Sequence, residues 1–306
     1  MAAFAYPVWV FFVRTLDRLG KGLRTGARDA ILSDEATPAT KGKVFGFHRS
    51  MDTFGAVLGP LLALLYLQWY PGDYRTLFLI ALAPGLIAIG CSLLLKDKKK
   101  EHTHSTARVS FFSFTGYWKS SPVIYRKLTS ALLLFTLFNS SDVFLLLKAK
   151  EAGMTDAAVI TLYIFYNLIF ALAAFPLGIL ADKWGLKKML LSGLLLFACV
   201  YAGMALNGKN IYIFYGLFFL YGLYAAATEG ISKAWISNIS DKKDTATAIG
   251  TFSGFQSICT MLASSLAGLI WFYFGATATF LVSSIMTAVA VILLFRIPYI
   301  RPVHNT

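Results

Sequence analysis

Residues 276–297 read ATATFLVSSIMTAVAVILLFRI, with no charge before Arg296, and 74–95 (YRTLFLIALAPGLIAIGCSLLL) and 189–206 (MLLSGLLLFACVYAGMAL) are nearly as apolar. The hydrocarbon core of a bilayer is about 30 Å thick and takes roughly 20 helical residues to cross. Within it every backbone N–H and C=O must be satisfied by the protein, which leaves helices and closed barrels. The runs here are continuous rather than alternating, and too long for barrel strands. An all-α polytopic membrane protein is therefore expected, consistent with 57% hydrophobic and 14% charged residues among 306.

Reading apolar runs against Gly, Pro and Asp breakers predicts nine transmembrane helices, at about 9–33, 42–69, 74–95, 124–150, 156–181, 186–206, 210–238, 244–273 and 275–297. Most connections are short turns such as YPGDY and NGKN. One is long: residues 96–123, basic at the start and aromatic later, read as a cytoplasmic linker lying on the inner membrane surface between two bundles. Residues 1–13 lack a basic leader and a small-residue cleavage site, so no cleavable signal peptide is expected.

A net charge of +13 would suggest nucleic acid in a soluble protein. In a membrane protein it reads instead as positive-inside loops, with the lipid bilayer and not nucleic acid as the partner. Placing the linker inside also puts Lys41, Lys43, Lys183, Lys187, Lys188, Lys242, Lys243, Arg296 and Arg301 inside, against Arg75, Lys209, Lys148 and Lys150 outside. The reading is an inner (plasma) membrane protein with a cytoplasmic C-terminus. Cys91, Cys199 and Cys259 fall inside predicted helices without motif spacing and read as packing residues. His102 and His104 lack companion ligands, so they read as part of a solvated tract; neither metal nor cofactor is expected.

Charge inside the spans carries the functional signal, because ionised side chains in lipid normally face a bundle interior or a wet cavity. The stretch RTLDRLGKGLRTGARDA holds Arg14, Asp17, Arg18, Lys21, Arg24, Arg28 and Asp29, most of them at helical spacing on one stripe. The fourth predicted helix holds Asp142, the seventh Glu229 and Lys233, and the second Arg49 and Asp52. The first, fourth and seventh helices are expected to line a cavity, and the third, sixth and ninth to face lipid. Arg28, Asp29, Arg49 and Asp52 are read as structural charge pairs, with Asp52 a partner for Arg24 or Arg28. For Arg14, Asp17, Arg18, Lys21 and Arg24 two roles stand side by side: pairing within the bundle, or a cationic wall for an anionic or carboxylate-bearing solute. Asp142 and Glu229 are the candidate proton-carrying acids, structural pairing being the alternative; Glu229 and Lys233 are four apart and could pair locally. Asn139, Tyr163, Tyr166 and Asn167 are candidate polar groups of the cavity. A sparse repeat supports a two-fold design: a shift of 204 aligns Gly26 with Gly230, Ala30 with Ala234, Ser33 with Ser237 and Gly46 with Gly250.

Residues 178–188, GILADKWGLKK, resemble the Gly-x-x-x-Asp-Arg/Lys-x-Gly-Arg/Lys-Arg/Lys loop of the major facilitator superfamily, through Gly178, Asp182, Lys183, Gly185, Lys187 and Lys188. The resemblance implies MFS-like pseudo-symmetric bundles and a loop that latches the bundles by placing Asp182 near the N-terminus of the second predicted helix. Residues 1–95 would then be a partial N-terminal bundle matching the family's fourth to sixth helices, 124–298 a complete six-helix C-terminal bundle and 299–306 a cytoplasmic tail. The family's first three helices and first loop copy have no counterpart in these residues.

The function expected is a secondary active transporter, not an enzyme. It would be proton-coupled and move a small organic, anionic or amphipathic solute by alternating access, export being favoured and a monomer expected. A transporter fragment without activity of its own is the alternative. An intramembrane acyl-transfer enzyme built on His48 and Asp52 lacks a companion nucleophile at readable spacing.

Overall fold

The computed structural model describes residues 9, 25–26, 28–94, 113–241 and 244–298. Arg14, Asp17, Arg18, Lys21 and Arg24 lie outside the described residues, as do His102, His104, Lys242, Lys243, residues 95–112 of the linker region and the tail 299–306. The described part is helical, without strands. We number α1 (28–34), α2 (Lys41–Trp69), α3 (Tyr74–Ile80), α4 (Leu82–Leu93), α5 (Ser113–Ser120), α6 (Val123–Phe138), α7 (Val143–Glu151), α8 (Asp156–Trp184), α9 (Leu186–Leu206), α10 (Ile211–Ile239) and α11 (Thr245–Phe295).

Seven helical stretches among the described residues are long and apolar enough to cross a membrane, so the expected count of nine is not reached there. Two differences have local causes. The predicted helix 124–150 is interrupted between α6 and α7 at Asn139–Asp142, where the Ser141 hydroxyl accepts from the Val143 backbone N–H at 3.4 Å. α11 joins the predicted 244–273 and 275–297 into 51 residues, but Gly275 inside it is non-helical, at φ 83 and ψ 174. A straight helix of that length would run about 76 Å, more than twice the hydrocarbon thickness. Gly275 is the bend that lets it fold back, and its positive φ suits a residue without Cβ.

The chain forms two compact units, Met1–Leu23 with Leu58–Ser113, and Arg24–Val57 with Phe114–Thr306. In the first, Asp73 caps α3: its carboxylate accepts from the Thr76 amide at 3.2 Å and from the Tyr66 hydroxyl at 2.9 Å. These bonds, those from Thr76 foremost, hold its carboxyl below the usual aspartate range. α3 and α4 part at Ala81, three residues before Pro84, whose missing N–H leaves the Ile80 carbonyl without its helical partner.

In the second unit α10 packs on α8 and α9, and α11 on α6 and α9. Its core is aromatic, with Tyr125, Phe197, Tyr201, Phe214, Phe218, Phe252 and Phe280 fully buried. α9 does not behave as a helix turned wholly to lipid: Met189, Leu190, Leu194, Phe197, Tyr201 and Met204 are all buried. The cysteines correct another expectation. Cys91 and Cys199 are exposed and Cys259 half-buried, so the first two do not pack in a core.

Candidate translocation site

Close helix contact organises the second unit, and small residues allow it. α2 lies against α8 along Gly42, Gly46 and Ser50, one residue per turn, facing Gly178, Ala174 and Ala171. A Cβ on Gly42 would come within 2.6 Å of the Gly178 carbonyl, and one on Gly46 within 2.6 Å of the Ala174 carbonyl. The Ser50 hydroxyl donates to the Ala171 carbonyl. Without a hydrophobic drive between helices in lipid, this kind of close packing plus side-chain hydrogen bonding holds helices together.

At the end of that stripe the Asp182 carboxylate accepts from the backbone N–H of Gly42 at 2.7 Å and of Lys43 at 2.8 Å. These are first-turn donors of α2 that have no partner within the helix. Gly185 follows at φ +99, where the chain turns from α8 into α9. Lys187 turns inward rather than out to solvent. Its ammonium donates to the carbonyls of Phe295 at 2.9 Å and Ile297 at 2.6 Å, capping the end of α11. Lys183 and Lys188 are exposed.

The intramembrane charges form a ladder between α1–α2 and α10. Asp29, 1% exposed, sits 2.5 Å from the Lys233 ammonium and 3.2 Å from the Arg28 guanidinium. Arg49 pairs with Glu229, donates to Asp52 at 2.9 Å and stands 5.7 Å over the Phe170 ring. Glu229 and Lys233 thus each take a partner on another helix rather than each other, and Asp52 lies beside Arg49 rather than Arg28. The ladder has uncharged rungs too. The Ser33 and Ser237 hydroxyls bond each other, and the buried Lys41 ammonium donates to the Ser237 carbonyl at 2.9 Å.

Two of these pairs, Asp29 with Lys233 and Ser33 with Ser237, join positions 204 apart, the shift of the sequence repeat. The glycines of the repeat meet crosswise. A Cβ on Gly26 would lie 3.6 Å from the Gly250 Cα, and one on Gly230 3.5 Å from the Gly46 nitrogen. Each position meets its own counterpart near the axis, and off-axis positions exchange partners, as a two-fold interface requires.

A second polar cluster sits inside the unit at the break between α6 and α7. The Tyr166 hydroxyl donates to Asp142, whose other oxygen accepts from Ser141 at 3.2 Å. No cation among the described residues pairs with Asp142. The Asn139 amide donates to the Tyr224 hydroxyl at 3.1 Å, while its own Oδ1 is buried without a partner. Ser140 bonds the Tyr201 hydroxyl at 3.2 Å, and Asn167 donates to the Tyr163 carbonyl at 2.9 Å. Tyrosine rings run on from there: Tyr163 to Tyr166 at 5.5 Å, Tyr166 to Tyr221 at 5.3 Å, and Tyr221 to Tyr224 at 5.3 Å. The structure therefore brings Asn139, Asp142, Tyr163, Tyr166 and Asn167 together, with Glu229 and Lys233 in the ladder instead. Tyr201, Tyr221 and Tyr224 were missed, and Ser237 and Lys41 were read only as a repeat position and a cytoplasmic cation. The i, i+3 tyrosines of α10 were the available signal, since they repeat the spacing of Tyr163 and Tyr166.

A multi-helix membrane protein with an internal two-fold, a charge ladder across it and a broken helix beside a carboxylate has the build of a solute carrier. The family model for the Major Facilitator Superfamily matches residues 1–166 and 143–306, and the chain belongs to that superfamily. It is 34% identical over 292 residues to an uncharacterized MFS-type transporter of Methanocaldococcus jannaschii, covering 92% of this chain and 70% of that one. It is 21% identical over 305 residues to an uncharacterized protein of Mycobacterium tuberculosis, covering 97% and 73%. Among solved structures, the human organic anion transporter MFSD10 (TETRAN) superposes with TM-score 0.71 at 15% identity, covering 88% of this chain and 67% of that one. The Escherichia coli fucose:proton symporter FucP superposes with TM-score 0.69 at 15% identity, covering 90% and 73%. At such identities these two share the fold alone.

Proposed function

We propose that the chain acts as a proton-coupled secondary transporter that moves a small organic solute across the inner membrane by alternating access, in the direction of export. The observation that carries this is the α6–α7 break, where Asp142 accepts hydrogen bonds from Ser141 and Tyr166 and no described cation offsets its charge. A carboxylate so placed within a membrane span has a proton or a solute group as its remaining partner. The fucose:proton symporter that shares this fold is itself named for proton coupling, which supports the same reading. The positive excess of residues 14–24 supports an anionic or amphipathic solute. Lys41, Lys43, Lys183, Lys187 and Lys188 gather at the Asp182 end, which supports a cytoplasmic assignment for that end and for the C-terminus. Residues 1–95, 96–123, 124–298 and 299–306 serve as partial bundle, linker, six-helix bundle and tail, and Asp182 as a latch that opens when the bundles rock.

The test uses inside-out vesicles holding the protein, acidified internally, with fluorescein as an organic-anion probe alongside other fluorescent organic solutes. Accumulation that a protonophore abolishes is expected. Asp142→Asn should remove the gradient dependence, and Tyr166→Phe should weaken it while leaving folding intact. Absence of any gradient-driven accumulation refutes the transport reading, and full coupling in Asp142→Asn removes Asp142 from it.

A further inference from the structure

A groove of about 780 Å³ opens on the side of the second unit, away from both polar clusters, between α5, the first turns of α6 and the end of α11. Its lining changes character along its length. Arg126 and Lys127 on the first two turns of α6, and Arg296 just past α11, stand at one end. Leu134 and Leu293 line the other end, and Trp118 of α5 closes the side. Among the described residues no carboxylate lines it, and none of the three cations makes an ion pair.

The depth can be read from helix geometry. Positions 127, 130, 131 and 134 follow one face of α6, so the step from Lys127 to Leu134 is about 10 Å along the axis. That takes the wall from a charged rim some two-thirds of the way through one leaflet's share of a 30 Å hydrocarbon core. The rim sits at the crowded cationic end of the molecule: Lys187 binds the Phe295 and Ile297 carbonyls on either side of Arg296. Trp118 is held in place by edge contacts to Phe255 at 5.4 Å and Tyr125 at 6.3 Å, an amphipathic ring of the kind that settles at headgroup depth.

We infer that this groove is a binding site for an anionic phospholipid, its phosphate held by Arg126, Lys127 and Arg296 and one acyl chain laid along Leu134 and Leu293. Charge complementarity selects the occupant. Three cations without an ion pair among the described residues call for an anion, and the apolar lower wall calls for a chain attached to it. Arginine offers paired donors to phosphate, and lysine a point charge beside them. The site lies on the α6–α11 side of the unit, so it anchors this surface of the protein to the leaflet and takes no part in the Asp142 cluster.

The full chain is reconstituted in phosphatidylcholine vesicles containing either brominated phosphatidylglycerol or brominated phosphatidylcholine at equal mole fraction. Emission from Trp118 is taken as the difference from Trp118→Phe. Stronger quenching by the brominated phosphatidylglycerol is expected, its association weakening roughly fivefold for each cation removed in Arg126→Gln, Lys127→Gln and Arg296→Gln. Lys188→Gln, which removes a charge at the same end but outside the groove, should keep the preference. The charge-keeping combination Lys127→Arg with Arg296→Lys should keep it too and guards against loss of fold. Equal quenching by the two lipids, a preference that survives removal of all three cations, or displacement of the lipid by soluble glycerol phosphate would each overturn the assignment.

Discussion

The Asp182 carboxylate lies 2.7 Å from the Gly42 backbone nitrogen, so a side chain at the end of one helix supplies the acceptor that the start of another lacks. The contact crosses 140 residues of sequence and forms only because Gly42 and Gly178 have no side chains to keep α2 and α8 apart. The helix dipole adds to it, since a negative charge near a helix N-terminus is favoured.

Removing that acceptor and wedging the helices apart should have separable effects. Asp182→Ala loses two charge-assisted hydrogen bonds and should cost about 1.5–3 kcal/mol or more. Gly46→Val introduces a Cβ that would fall within 2.6 Å of the Ala174 carbonyl and should cost about 1–3 kcal/mol by overpacking. Thermal unfolding in detergent measures both. If Gly46→Val melts with the parent, the close packing of α2 on α8 contributes nothing.

The Asp29 pair predicts an asymmetry. Asp29→Asn strands the Lys233 ammonium among buried groups, and breaking such a pair costs roughly 3–5 kcal/mol. Lys233→Met should cost less, because Asp29 keeps Arg28 at 3.2 Å. The double substitution should recover most of the Asp29→Asn loss, as replacing both partners by neutral groups often does. Equal losses in the two single variants, adding in the double, would show that the two residues act independently.

Asp73 gives a pH dependence in the smaller unit. Its folded carboxyl is held below the ordinary value near 3.9 by the Thr76 and Tyr66 hydrogen bonds. The capping contribution is then present above that value and is lost as pH falls through the lowered one. Protection of the Tyr74–Leu77 amides, measured against their intrinsic exchange rates, should fall in acid, and Asp73→Asn should flatten that response. An acid response unchanged in Asp73→Asn would place its origin elsewhere.

What the sequence made readable was whatever is written in a single segment. Apolar runs marked the spans, and the GILADKWGLKK loop marked the α8–α9 turn together with Asp182 and Gly185. The cost of charge in lipid led Arg28, Asp29, Arg49, Asp52, Glu229 and Lys233 to be expected inward, but did not say whom they would meet. Spacing along a helix reports neighbours on that helix only, so it offered a local Glu229–Lys233 pair as an alternative, whereas the two look across to Arg49 and Asp29. The break at Asn139–Asp142 was hidden for a different reason. It contains no Gly or Pro, and its polar side chains turn to Tyr224, Tyr201 and the Val143 backbone N–H inside an apolar run. Tyr201, Tyr221 and Tyr224 were passed over because aromatic residues in such helices are usually filler, and only the hydroxyl partners of Tyr201 and Tyr224 reveal another use.

Near the axis of the repeat, each residue faces its own counterpart. Two unchanged copies of such a segment would set aspartate against aspartate, or lysine against lysine, at a largely buried position. The exchange of one sign between Asp29 and Lys233 turns that conflict into attraction. It also makes each copy a poor mate for itself, so that the pairing of unlike segments is written into the chain at a single position.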